Sequence, residues 1–134
     1  MAENKFQLGG VDSLASTPGN WSLGYVPITT ETLLFDATSP DCTWDIALPT
    51  YCPVTGALAA WNMTGYTGTL TPTVGTHLVF VSGDVTPDGV WADSETDVMV
   101  FTDVGGSLIE GAAFSSVYGP VVILRGTGTI TWGV

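Results

Sequence analysis

The stretch Ala57–Gly89, ALAAWNMTGYTGTLTPTVGTHLVFVSGDVTPDG, decides how this chain is read. Short Thr- and Val-rich runs alternate in it with Gly, Pro and Asp turns. No run has the length or the 3.6-residue period of a helix. It reads as the repeating unit of an all-β domain, and its flanks look like further copies. Upstream, Thr32–Phe35 is the first convincing strand. Ser39-Pro40-Asp41 then turns the chain into Cys42–Ile46, where alternation puts Cys42, Trp44 and Ile46 on one face.

Further out, apolar runs recur at Leu33–Phe35, Ala57–Trp61, Leu78–Val81, Val98–Phe101 and Val121–Leu124, their starts 20 to 24 residues apart. That is the period of solenoid rungs. Shorter Thr/Gly/Ser strands, Thr67–Thr71, Ser107–Ile109 and Thr127–Thr131, fall between them, and Val90–Trp91 and Val121–Leu124 read as core strands. The pattern predicts an all-β fold, best fitted by a short parallel β-solenoid of about five rungs. An antiparallel β-sandwich or jelly roll fits the same strand inventory.

Residues 1–19, with Gly9-Gly10 and Pro18, read as an extended N-terminal arm weakly anchored by Phe6 and Leu8; residues 20–134 form one all-β domain. Such an arm is ordered only when tied across its own domain or against a neighbour. Trp21 and Tyr25 are placed to cover the open end of the core. The last residues, Gly126–Val134, are strand-like, with Ile130 and Trp132 on one face. An uncapped final strand offers an edge that recruits another chain. Phe6, Leu8, Trp21, Tyr25, Ile130 and Trp132 are therefore the candidate partner-binding residues.

Composition narrows the function classes. A hydrophobic content of 45% in 134 residues supports a core and argues against disorder. The apolar runs are far shorter than the roughly 20 residues of a membrane helix. Thirteen acidic residues face only Lys5 and Arg125, a formal net charge of −11. That balance excludes nucleic acid, which is held by clustered Lys and Arg, and anionic membrane surfaces. It suits solubility, a basic docking partner or a divalent cation. The N-terminus MAENKFQLGG has no basic and apolar signal pattern, which predicts synthesis in a cytosol and free thiols at Cys42 and Cys52, although a disulfide between them also fits. The triplets at Asn20 and Asn62 then read as ordinary turn and strand residues.

Chemistry-bearing motifs are sparse. His77 is the only histidine, without a Cys, Ser or Lys partner at a motif spacing, and reads as structural. Two cysteines and one histidine are too few for a zinc site. Asp93-Ser94-Glu95-Thr96-Asp97, with Asp84 and Asp88 before it, has the oxygen density to hold Ca²⁺ but not the EF-hand pattern; a solvated acidic loop is the plainer reading. Asp36, Asp41 and Asp45 near Trp44 admit a carboxylate pair beside a sugar-stacking ring. Turn aspartates and a buried tryptophan explain the same residues. The expectation is no enzyme, no metal and no cofactor.

Three segments carry a resemblance: Trp21–Asp36 (W-x-L-G-x-V-P-x-T-x-E-T-L-L-F-D), Ser39–Asp45 (SPDCTWD) and Thr64–Thr71 (TGYTGTLT). At Trp21, Gly24, Val26, Pro27, Thr29, Phe35 and Asp36, at Ser39–Thr43 and at Gly65–Thr71, the chain resembles the first rungs of β-solenoid virion proteins of tailed bacteriophages and of bacterial surface proteins. The resemblance implies a structural virion component located on the particle. In a chain of this size it implies a capsid decoration (cement) protein, bound as a homotrimer to the major capsid protein and stabilising the head. The alternative is a receptor- or glycan-binding module of a tail fibre or spike, suggested by five Trp and four Tyr in a polar β surface.

Overall fold

Alternation of small polar and large apolar residues in runs of two to six, broken by Gly, Pro and Asp, gives strands too short to stand alone. The computed structural model describes residues 2–92, 97–102 and 121–125. Within them lie β1 (Glu3–Lys5), β2 (Thr32–Leu34), β3 (Cys42–Trp44), β4 (Tyr51–Cys52) and β5 (Ala60–Asn62). There follow β6 (Thr69–Pro72), β7 (Gly75–Phe80), β8 (Val85–Thr86), β9 (Val90–Trp91), β10 (Asp97–Thr102) and β11 (Val121–Arg125). A single 3₁₀ turn at Pro18–Asn20 is the only helical element among them.

These strands sort into three sheets, ordered β1-β2-β5-β8, β3-β6-β9 and β11-β10-β7-β4. From β2 to β10 the chain visits them in rotation, one strand in each, β11 joins β10 in the third sheet, and every strand ladder is parallel. The long crossover that parallel strands require is here supplied by the strands of the other two sheets. No described ladder has the antiparallel pairing of a sandwich.

Register stacks like on like. Asn4, Leu33, Trp61 and Val85 stand in one column, and Cys42, Leu70 and Trp91 in a second. Cys52, Val79 and Phe101 make a third. The alternation expected at Cys42, Trp44 and Ile46 is present, with all three buried. Through the centre runs a file of aromatic rings: Trp21 to Phe6 at 5.2 Å, Phe6 to Phe35 at 5.5 Å, Phe35 to Trp61 at 6.0 Å and Trp61 to Phe101 at 4.9 Å between centroids. Trp44 joins it 4.9 Å from Trp61. Each such pair adds about 0.5–1.5 kcal/mol beyond the area it buries. The indole N–H groups of Trp44 and Trp61 are buried with no hydrogen-bond partner.

The spacing of turns differs from the expected one at the start. Leu33 lies opposite Trp61, 28 residues on, and Cys52 opposite Val79, 27 on; later, Val79 meets Phe101 after 22 and Leu70 meets Trp91 after 21. By register the corner from the second sheet to the third hardly changes, ten residues from Cys42 to Cys52 and nine from Leu70 to Val79. Much of the excess sits after the third sheet, where Cys52 to Trp61 takes nine residues and Val79 to Val85 six. Val90, expected in the core, is exposed on the edge strand β9. The expected strands Ser107–Ile109 and Thr127–Thr131 lie outside the described residues.

Candidate interaction surface

Residues 2–25 do not form a free arm. β1 pairs in parallel with β2, and Phe6 is completely buried. Beyond Phe6 the chain passes the second sheet, where Leu14 bridges Thr43, and then doubles back over the end of the stack. Trp21 bridges Phe6 in antiparallel sense, Gln7 N donates to Asn20 O at 2.7 Å, and Ser22 N donates to Lys5 O at 2.8 Å. The outer edge of β1 is thereby covered by the protein's own backbone.

Two buried asparagines hold this cap. The Asn20 amide nitrogen shares its hydrogens among Asp12 O, Asp12 Oδ1 and Leu14 O, each at 3.0 Å, and its oxygen accepts from Gly10 N at 2.8 Å. Asn4 donates to Tyr25 O at 2.8 Å and accepts from Leu23 N at 3.2 Å. With both ends of each amide partnered, burial costs them little. Hydrogen bonds from Thr17, Leu14 and Asn20 hold the Asp12 carboxyl below its ordinary pKa. Trp21 drops from the cap into the core, and its indole donates to Ala15 O at 2.7 Å.

This corrects part of the expected docking set. Phe6 and Trp21 are 0% and 1% exposed, so they pack against their own chain and offer no surface to a partner. Leu8 and Tyr25 are part-exposed, and Ile130 and Trp132 lie outside the described residues.

The apolar surface lies instead on the third-sheet flank of the same end, where two loops run side by side. Val26–Thr29, leaving the cap, and Tyr51–Thr55, containing β4 and its exit, wall a groove of about 100 Å³. They close together at one end, where the Thr29 hydroxyl donates to Thr55 O and Thr30 N donates to Ala57 O at 2.8 Å. Ile28 and Val54 stand out from the walls, 53% and 76% exposed, with Tyr51 between them. β4 is the edge of the third sheet: it pairs with β7, and no described strand pairs with its other side.

Behind Ile28 sits Glu31, only 5% exposed. Its carboxylate accepts from the Tyr25 hydroxyl at 2.7 Å, from Ile28 N at 2.9 Å and from Asn4 Nδ2 at 3.4 Å. No cation contributes among the described residues. The hydrogen bond to Glu31 raises the pKa of Tyr25. Lys5 is engaged elsewhere, 3.1 Å from Asp36 Oδ2 and 2.6 Å from Thr38 Oγ1.

The other candidate residues have structural places. Trp44 is fully buried and cannot stack on a sugar. Asp36 pairs with Lys5, Asp41 accepts from Thr69 N at 2.8 Å, and Asp45 accepts from Ser16 N at 2.9 Å. His77 is buried, with Nδ1 3.0 Å from Ile46 O and Nε2 2.6 Å from Thr73 O. Cys42 and Cys52 are free thiols on different sheets, and burial raises both, Cys52 to about 12. Asp88 accepts from Gly65 N at 3.0 Å and from Gly89 N at 2.9 Å within its turn. Among the described residues no three His, Cys, Asp or Glu side chains converge to hold a metal ion; positions 93–96 of the acidic segment lie outside them. No helix among them is long and apolar enough to cross a membrane.

The groove had a signal in the sequence: Val26, Ile28 and Val54 are apolar, lie beside Pro27 and Pro53, and belong to no alternating run. What brings them together is the stacking of turns. Comparison with known protein families, with curated proteins and with solved structures found no match to this chain.

Proposed function

We propose that this chain is a non-enzymatic structural protein of a tailed-phage virion, a capsid decoration protein that docks on the major capsid protein and stabilises the head. The rotation of strands through three sheets is read as a parallel β-solenoid of about five rungs, with the turns of β1, β2–β4, β5–β7 and β8–β10 followed by one whose third-sheet strand is β11. One observation carries the docking reading: this end of the stack is sealed over β1 and β3 by buried amides and backbone hydrogen bonds, while beside β4, at the same end of the third sheet, an uncharged apolar groove is left open. A protein so arranged attaches to another surface through that open corner. By bridging capsid subunits, it makes rupture of the shell break its contacts as well. Three copies around a symmetry axis of the shell are the expected stoichiometry.

The fibre-tip reading draws on exposed aromatic faces, and Trp21, Trp44 and Trp61 lie wholly in the core, which weighs against it. Immunogold labelling of the source particles tests the proposal. Label over the heads, with a trimeric mass for the chain released from them, is the expected result. Particles free of the chain, or label confined to tails, would refute it.

A further inference from the structure

We propose that the groove between Val26–Thr29 and Tyr51–Thr55 receives an apolar side chain from a partner protein whose flanking residues are lysine or arginine, an inference that rests on the reading of this chain as a docking protein. Size and charge both constrain the occupant. A groove of about 100 Å³ falls well short of the roughly 300–1,000 Å³ of small-molecule sites, but it admits one aliphatic side chain. Its walls, among them Val26, Ile28, Tyr51, Pro53 and Val54, carry no charged group, so the contact itself is apolar.

The surroundings are the reverse. Glu31 lies directly behind Ile28 and takes its three hydrogen bonds from neutral donors. Lys5, a cation that could offset it, is committed to Asp36. The chain as a whole carries −11, so the potential at the mouth of the groove is negative. A second copy of this chain would bring another −11 to the same place, and a nucleic acid or anionic lipid would bring phosphates. An apolar side chain set between cations meets both demands. β4, with no described strand on its other side, gives an extended partner segment backbone groups to pair with.

The test uses the full chain and a short synthetic peptide of alternating lysine and leucine, followed by fluorescence anisotropy. Lysine–serine and glutamate–leucine peptides serve as comparisons. Saturable binding is expected for the lysine–leucine peptide alone, weakened about tenfold or more by Val54→Asp and by Ile28→Asp. These variants add negative charge, so bulk attraction would strengthen binding where occupancy of the groove predicts loss. Val54→Ser repeats the test without a change in charge. The proposal is overturned if no peptide binds, if the Asp variants bind as well as the parent, or if sedimentation shows a dimer that Val54→Asp dissolves. Peptide binding at the groove with no label on particles would sink the virion reading and leave this inference standing. Label on heads with an inert groove would do the opposite.

Discussion

The capped part of this end of the stack and its open third-sheet flank meet the same difficulty in opposite ways. Both present the edge of a parallel sheet, β1 in one case and β4 in the other. At β1 the chain spends residues 6–25 covering that edge, with Asn4 and Asn20 fully hydrogen-bonded beneath. At β4 it spends nothing, and Ile28 and Val54 remain in solvent. Uncovered edges are a liability that proteins manage by covering, shortening or charging them. A flank left apolar beside an edge so well closed points to use, whereas the cap points to stability.

The comparison can be broken most sharply at Trp21. Trp21→Ala removes a completely buried ring, its contact with Phe6 and a bond to Ala15 O, and should cost about 3–5 kcal/mol in urea unfolding. Asn20→Leu comes next: Gly10 N and Leu14 O lose their partner in the interior, for an expected loss of about 2–3 kcal/mol. A neutral outcome for both would mean that the cap is ornamental. His77→Leu should cost about 1–3 kcal/mol by taking the imidazole N–H away from the Ile46 and Thr73 carbonyls, of which a neutral ring can serve one.

Smaller effects sharpen the contrast. Asp36 is held down to about 2 from 3.8, first by the Thr38 hydroxyl and then by the Thr38 N–H and Lys5. A lowered folded-state pKa means that its contribution is complete above 3.8 and is lost as the pH falls through 2. Asp36→Asn should lower the melting temperature modestly at neutral pH, where that contribution is complete, and flatten the profile between 3.8 and about 2; an unchanged acid limb would count against the Lys5 link between β1 and the next turn. Smallest of all, Val54→Asp should leave the unfolding midpoint within about 0.5 kcal/mol of the parent, because the side chain supports nothing. A large loss there would make the groove part of the core and remove the distinction between the two regions.

What could be read in advance follows from how local each feature is. The face shared by Cys42, Trp44 and Ile46 needs only strand alternation, so five residues suffice to see it. The turn length needs the corners as well. The loop from Pro53 to Ala59, between β4 and β5, is longer than its counterpart in the next turn, and the apolar run there begins at Ala57, four residues before the register partner Trp61, so a period measured between runs came out short for the first turns. The cap was illegible for a different reason. Asn4, Asn20 and Gly10 look like the residues of a solvated arm, and only the backbone groups brought to them from Asp12, Leu14 and Tyr25 make them interior. The groove joins loops more than twenty residues apart, and no window on the sequence holds both.

The packed indoles have an optical consequence. Trp44 and Trp61 sit edge to face in an apolar interior, their N–H groups without a protein partner, whereas the Trp21 indole is tethered to a carbonyl. An excited ring without polar neighbours to relax against emits at short wavelength, and rings held in a fixed mutual orientation couple their transitions. The folded chain should therefore carry a blue fluorescence and a coupled aromatic circular-dichroism signal. Both report on the joining of turns, since Trp44 and Trp61 belong to successive ones, and both vanish when the stack parts.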